Sequence, residues 1–172
     1  MFEPSQPLSE QTRSAETDPS PSPRMNFLRL AHRLETLAIE VTPWLRQQSG
    51  APEGVETKPD GSQVTACDKE MERRFRLACK EGLGVPFAFL GEESEEIRQT
   101  PLSEITDFDY VAICDPIDGT ANFIAGNGLY GCLLGIYRRT SEGVYQPSFG
   151  AVLLPESGHL YITEGDDVLD LN

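Results

Sequence analysis

The sequence predicts an α+β fold, two N-terminal helices packed on a mostly antiparallel sheet. Two observations predict it. Between Met25 and Gly82 the apolar residues recur at helical spacing. From Val85 onward they fall into short β-branched and aromatic runs bounded by Gly, Pro and Asp. Helices first and strands after, joined by short turns, favour antiparallel pairing in an α+β arrangement. With 172 residues the chain has room for one domain of ordinary size.

Residues 1–24 are rich in Ser, Pro, Glu, Gln and Thr, with little to bury, and are expected to be a disordered tail. The folded domain is expected over 25–164. Phe27, Leu30, Ala31, Leu34, Leu37, Ala38, Val41 and Leu45 form the apolar stripe of a helix reaching Gln48. Pro43 lies inside it and is expected to kink it or break off its last turn. Trp44 is read as a core contact. Residues 49–63 carry the Gly, Pro and Ser content of a loop. Thr65 is a candidate N-cap for a second helix, with Met71, Phe75, Ala78 and Cys79 on its buried side. Asp68 reads there as an acid facing the helix dipole.

Val85–Leu90 reads as a strand, followed at once by Gly91, Glu92, Glu93 and Ser94. A run of acids is ordinarily a solvated face, yet Glu92 stands just past a strand end. Tyr110–Cys114 is a second buried strand. Tyr130–Tyr137, Val144–Leu154 (interrupted at Pro147) and His159–Thr163 complete an antiparallel meander, and 165–172 is expected to fray.

Composition removes several functions. Twenty-eight acidic against fourteen basic residues give a formal charge of −14, the opposite of a nucleic-acid footprint. No apolar run approaches a membrane span, and no basic start with an apolar segment marks a secretory signal. Cys67, Cys79, Cys114 and Cys132 show no Cys-x-x-Cys spacing and read as reduced, buried thiols of a cytoplasmic protein. His32 and His159 are isolated and read as structural or exposed.

The stretch with chemical content is Asp115-Pro116-Ile117-Asp118-Gly119-Thr120. Pro116 keeps Asp115 extended and Gly119 permits a sharp turn, so two carboxylates three residues apart can converge. Carboxylates that close repel unless a cation lies between them. The N–H groups of Gly119 and Thr120, opening a helical turn, favour an anion. Asp-Pro and Asp-Gly are also common turn dipeptides, so a turn without chemistry stays open. If the strands ending at Leu90 and Cys114 are neighbours, Glu92, Asp115 and Asp118 meet at one edge as a hard-cation donor set. An EF-hand is excluded by Pro116 and Ile117, and a phospho-aspartyl mechanism by the absence of an acid at position 116.

Three stretches in the same order, Lys58–Asp68, Gly91–Ser94 and Asp115–Phe123, resemble the inositol monophosphatase family. The resemblance implies the first half of that family's layered fold and a phosphomonoesterase acting on a small phosphorylated metabolite. It implies that Glu92, Asp115 and the Ile117 carbonyl bind a first Mg²⁺, that Asp115 bridges to a second held by Asp118, and that Glu92 reaches a third. It further implies catalytic roles for Glu92, Asp68 and Thr120, the last two orienting the attacking water. Gly119 and Thr120 would hold the phosphate, with Lys58 and Glu93 as outer supports. Two departures stand out. Ala121 occupies a position where the family often has Thr or Lys. The family's second half, with a Trp-Asp segment completing the second metal site, has no counterpart, since the only Trp, Trp44, precedes Leu45. The chain is therefore expected to be weakly active or inactive alone, to expose apolar surface, and to need a missing C-terminal half or a homodimer partner. The alternative is a non-catalytic metal-binding or interaction half-domain.

Overall fold

A computed structural model describes residues 22–94, 102–165 and 167–171. The expected tail, but for its last three residues, lies outside them, as do Glu95 and Glu96. Helix α1 spans Pro23–Gln48, its first turn capped by the Ser22 side chain, which accepts from the Met25 N–H. Phe27, Leu30, Leu34, Leu37, Val41 and Leu45 form its buried side. The helix continues through Pro43 to Gln48, contrary to the expected break. Its last turns are held from outside: Leu45 is fully buried, and the Arg46 guanidinium donates to the carbonyls of Pro155 (2.6 Å) and Glu156 (3.0 Å).

The segment 49–63 is not a plain loop. It folds as a small antiparallel hairpin of β1 (Glu56–Thr57) and β2 (Gln63–Val64). Asp60 closes the turn by accepting from the Ser62 N–H and hydroxyl at 3.0 and 2.7 Å. Two-residue strands carry too few side chains for an alternation to register. Helix α2 (Ala66–Leu83) then begins at Thr65 and packs along α1.

The remaining strands are β3 (Ala88–Gly91), β4 (Tyr110–Asp118), β5 (Gly131–Arg139), β6 (Tyr145–Leu154), β7 (His159–Glu164) and β8 (Asp167–Leu171). Two short helices flank β4: α3 (Leu102–Ile105) before it and α4 (Thr120–Ala125) after it. The sheet order is β3-β4-β5-β6-β7-β8, with β3 parallel to β4 and every other pair antiparallel. This is the α+β class, mostly antiparallel, that the sequence predicts.

Three details correct the expectation. Strand β4 does not stop at Pro116 but runs to Asp118 through a register shift between Asp115 and Asp118. Strand β6 is not cut at Pro147, because the ladder absorbs the missing N–H with a shift between Phe149 and Pro147 opposite Ile136 and Tyr137. Residues 165–172, expected to fray, contain β8, which pairs with the open edge of β7 after a turn at Gly165.

Helices α1 and α2 cover one face of the sheet, where Ala112, Cys114, Leu134, Ile136, Ala151 and Ile162 are buried. On the other face, pleat alternation places Ile113, Leu133, Tyr137, Val152 and Leu154. Ile113 is 43% and Leu154 37% exposed, the apolar surface that was expected. All four cysteines are free and buried. Among the described residues, no helix is long and apolar enough to cross a membrane.

Candidate metal and phosphate site

The site forms where the C-terminal ends of β3 and β4 lie side by side. Parallel pairing aligns Gly91 with Cys114, and the Glu92 N–H continues the ladder onto the Cys114 carbonyl at 3.1 Å. Glu92 and Asp115 therefore leave adjacent strands at the same level, the neighbour relation on which their convergence depended. Asp118 follows at the end of the β4 irregularity and is exposed.

Asp115 is the unusual group. Its Oδ1 is buried and has no hydrogen-bond partner among the described residues. Its pKa is pushed up to about 7, first by burial, then by the charge of Glu92 and a hydrogen bond to it, and further by Asp118 and Asp68. Three hard-oxygen side chains thus face one region, and one oxygen lacks any donor. That fits a divalent cation by donor chemistry. Among the described residues no group of three or more acidic, His or Cys side chains is placed to hold a metal ion by itself.

Asp68 is buried to 1% exposure and engages both the α2 cap and Thr120. It completes a capping box: its Oδ2 accepts from the Thr65 N–H (2.8 Å) and hydroxyl (2.6 Å), while the Thr65 oxygen accepts from the Cys67 and Asp68 N–H groups. Its Oδ1 meets the Thr120 hydroxyl at 3.2 Å. Burial raises the Asp68 pKa, and the bonds from Thr65 and Thr120 oppose that rise. The Thr120 hydroxyl also reaches the Ile117 carbonyl at 3.0 Å, so the carbonyl expected to face a cation already has one hydrogen-bond contact.

Gly119 turns the chain from β4 into α4 at φ 86°, a left-handed conformation suited to glycine. A Cβ there would stand 2.8 Å from the Leu129 carbonyl oxygen. No side chain caps α4, and Phe123, fully buried and edge-on to Tyr130, anchors it. A cleft of about 530 Å³ opens beside Asp118 and Gly119, walled by Asn122, Leu129, Leu133 and Glu156.

Lys58, at the β1–β2 turn, bridges Glu92 (3.0 Å) and Glu93 (2.8 Å). Burial alone would lower its pKa, but the hydrogen bonds to Glu93 and Glu92 prevail and raise it. Burial pushes the Glu93 carboxyl up against the opposing effect of Lys58. All of the expected site residues, Lys58, Asp68, Glu92, Glu93, Asp115, Ile117, Asp118, Gly119 and Thr120, belong to this one region. The sequence reading passed over Glu72 of α2, whose carboxylate accepts from the Glu93 N–H at 2.8 Å. A polar position on an amphipathic helix gives no signal that it is buried.

Comparison with known proteins points the same way. The sequence model of the inositol monophosphatase family matches residues 29–166. A histidinol-phosphatase of Chlorobaculum parvum is 33% identical over 108 residues, 63% of this chain and 37% of that protein. A histidinol-phosphatase of Streptomyces coelicolor is 31% identical over 134 residues, 78% of this chain and 46% of that protein. An IMPase/NADP phosphatase solved with Mg²⁺ and phosphate superposes with a TM-score of 0.61 at 24% identity, covering 82% of this chain and 48% of that one. The chain thus spans about half the length of the proteins it matches, or less.

Proposed function

This chain belongs to the inositol monophosphatase family, and from that premise we propose that it carries the cation- and phosphate-binding part of a Mg²⁺-dependent phosphomonoesterase. The observation that carries the reading is the buried, partnerless Oδ1 of Asp115 between Glu92 and Asp118. A carboxylate oxygen is buried without a donor at real cost unless something positive meets it.

Glu92, Asp115, Asp118 and the Ile117 carbonyl would hold the cations. When bound, such ions acidify a water and offset charge on the departing alkoxide. The chain's own residues do the rest. With the Ile117 carbonyl given to a cation, the single Thr120 hydroxyl hydrogen would go to Asp68 Oδ1, leaving the oxygen lone pairs to accept from an attacking water. Asp68 is fixed on its other oxygen by Thr65, so the pair is oriented before substrate arrives. The N–H groups of Gly119 and Thr120 are the phosphate ligands of this reading. The cleft beside Asp118 gives the organic part of a small ester room. Lys58 and Glu93 hold Glu92 in place from behind. Two relatives named histidinol-phosphatase make an amino-alcohol phosphate the first substrate to try.

The test is phosphate release from a panel of small phosphomonoesters, histidinol phosphate included, with and without Mg²⁺. Release, even if slow, is expected to require Mg²⁺ and to vanish in Asp115→Asn. Release unaffected by chelation, or retained in the variant, would contradict the reading. Mg²⁺ binding without release from any ester would instead identify a non-catalytic metal-binding half-domain.

A further inference from the structure

Beneath the Glu92 turn lies a carboxylate that no role so far uses. Glu72, on the buried side of α2, is only 7% exposed. Burying a Glu requires donors for its oxygens, and Glu72 takes them from the turn carrying Glu92. One oxygen accepts from the Glu93 N–H at 2.8 Å, and the other from the Ser94 hydroxyl. Arg76, one helical turn further along α2, closes the arrangement. Its guanidinium donates to Ser94 Oγ at 3.0 Å, lies 3.8 Å from the Glu72 carboxylate, and packs over the Phe89 ring at 4.4 Å.

The close approach dictates a residue type in β3. A Cβ built on Gly91 would fall 2.1 Å from the Glu72 Cδ and 2.2 Å from its Oε2. Any side chain at 91 would therefore have to displace the Glu72 carboxylate. Gly91 is the last residue of β3, and Glu92 is the next, with its N–H on the Cys114 carbonyl. The Glu92 backbone is thus pinned from two sides: by β4 through its own N–H, and by α2 through the N–H of the following residue. Backbone bonds on both sides leave the Glu92 side chain little freedom in where it starts.

We propose that Glu72 is a positioning residue, whose carboxylate clamps the Gly91–Ser94 turn and so sets where Glu92 stands relative to Asp115. Divalent-cation affinity then depends on Glu72 although Glu72 does not touch the ion. The inference rests on the reading above that Glu92 is a cation ligand. Outer partners of metal ligands typically matter by about 10- to 100-fold in affinity.

The experiment titrates Mn²⁺ alone into the full chain and follows amide hydrogen exchange at Glu93 in the cation-free protein. Glu72→Ala is expected to weaken Mn²⁺ binding about tenfold and to speed exchange of the Glu93 amide. Glu72→Gln keeps the shape and one acceptor, so both effects should be smaller, and it carries the test if the alanine variant fails to fold. Val41→Ala, a fully buried core change in α1, lowers stability but should leave Mn²⁺ affinity within about twofold. This separates positioning from general loosening. Unchanged exchange with unchanged affinity in both Glu72 variants would overturn the proposal, as would an equal loss of affinity in Val41→Ala. Faster Glu93 exchange in a protein that takes up no Mn²⁺ would support the clamp and contradict the metal reading instead.

Discussion

Two aspartates of this fold, one opening α2 and one within β4, meet burial in opposite ways. Asp68, at the start of α2, is almost fully buried and has donors on both oxygens, from Thr65 and Thr120. Asp115, near the end of β4, keeps a buried oxygen with no donor and lies among the charges of Glu92, Asp118 and Asp68. Burial pushes both carboxyls up, so the shift alone does not separate them. Unmet valence does. The first aspartate is met by the donors around it, whereas the second is the one that the proposed function gives a positive partner.

Substitution should break the symmetry in sign. Asp68→Ala removes the capping box and strands the Thr65 N–H, so urea unfolding should show a loss of about 2–3 kcal/mol. Asp115→Asn, measured without divalent cation, should stabilise the protein. It removes one charge from a crowded group, worth about 1 kcal/mol once solvent screening is allowed for. A destabilised Asp115→Asn would mean that the carboxylate is structurally needed and the contrast is false.

The pH dependence sharpens the same point. The folded protein holds the Asp115 proton up to about 7, whereas an unperturbed aspartate releases it near 3.8. Between those values the folded state binds more protons than the unfolded one. The associated stability is therefore complete below pH 3.8 and is lost as pH rises through about 7. Cation-free protein should melt at progressively lower temperature over that window, and Asp115→Asn should flatten the trend. Asp68, also raised, contributes in the same direction.

Lys58 tests the support of the Glu92 turn. Lys58→Met removes its bridge to Glu92 and Glu93. Glu92 is half exposed, but Lys58 and Glu93 are largely buried, so stranding the Glu93 carboxyl should cost about 1–2 kcal/mol in urea unfolding. A loss under about 0.5 kcal/mol would mean that the bridge is screened by solvent and does not support the turn.

The helices were legible because their information is local. The spacing of Phe27, Leu30, Leu34 and Val41 declares α1, and Thr65 with Asp68 declares the cap of α2. The turn at Gly119 was legible for the same reason, although Pro116 does not end β4. What could not be read was pairing. Only the parallel register of β3 on β4 brings Glu92 to Asp115, and no local pattern encodes that register. Strand β8 depends on the free edge of β7 rather than on its own short sequence. The run of β4 past Pro116 depends on a ladder that tolerates a register shift. Glu72 reads as one more polar helix residue until its carboxylate is seen under Gly91. Conversely, the apolar residues Ile113, Leu133 and Val152 read as buried strand positions, yet they lie on the face that the helices leave open.

The most direct test is calorimetric titration of Mg²⁺ into the wild-type chain, Asp115→Asn and Asp109→Asn, the last an exposed aspartate paired with Arg139. Saturable binding by wild type and Asp109→Asn, with none by Asp115→Asn, is the predicted result. Equal binding by all three would contradict the assignment of Asp115 as the unmet ligand around which the site is built.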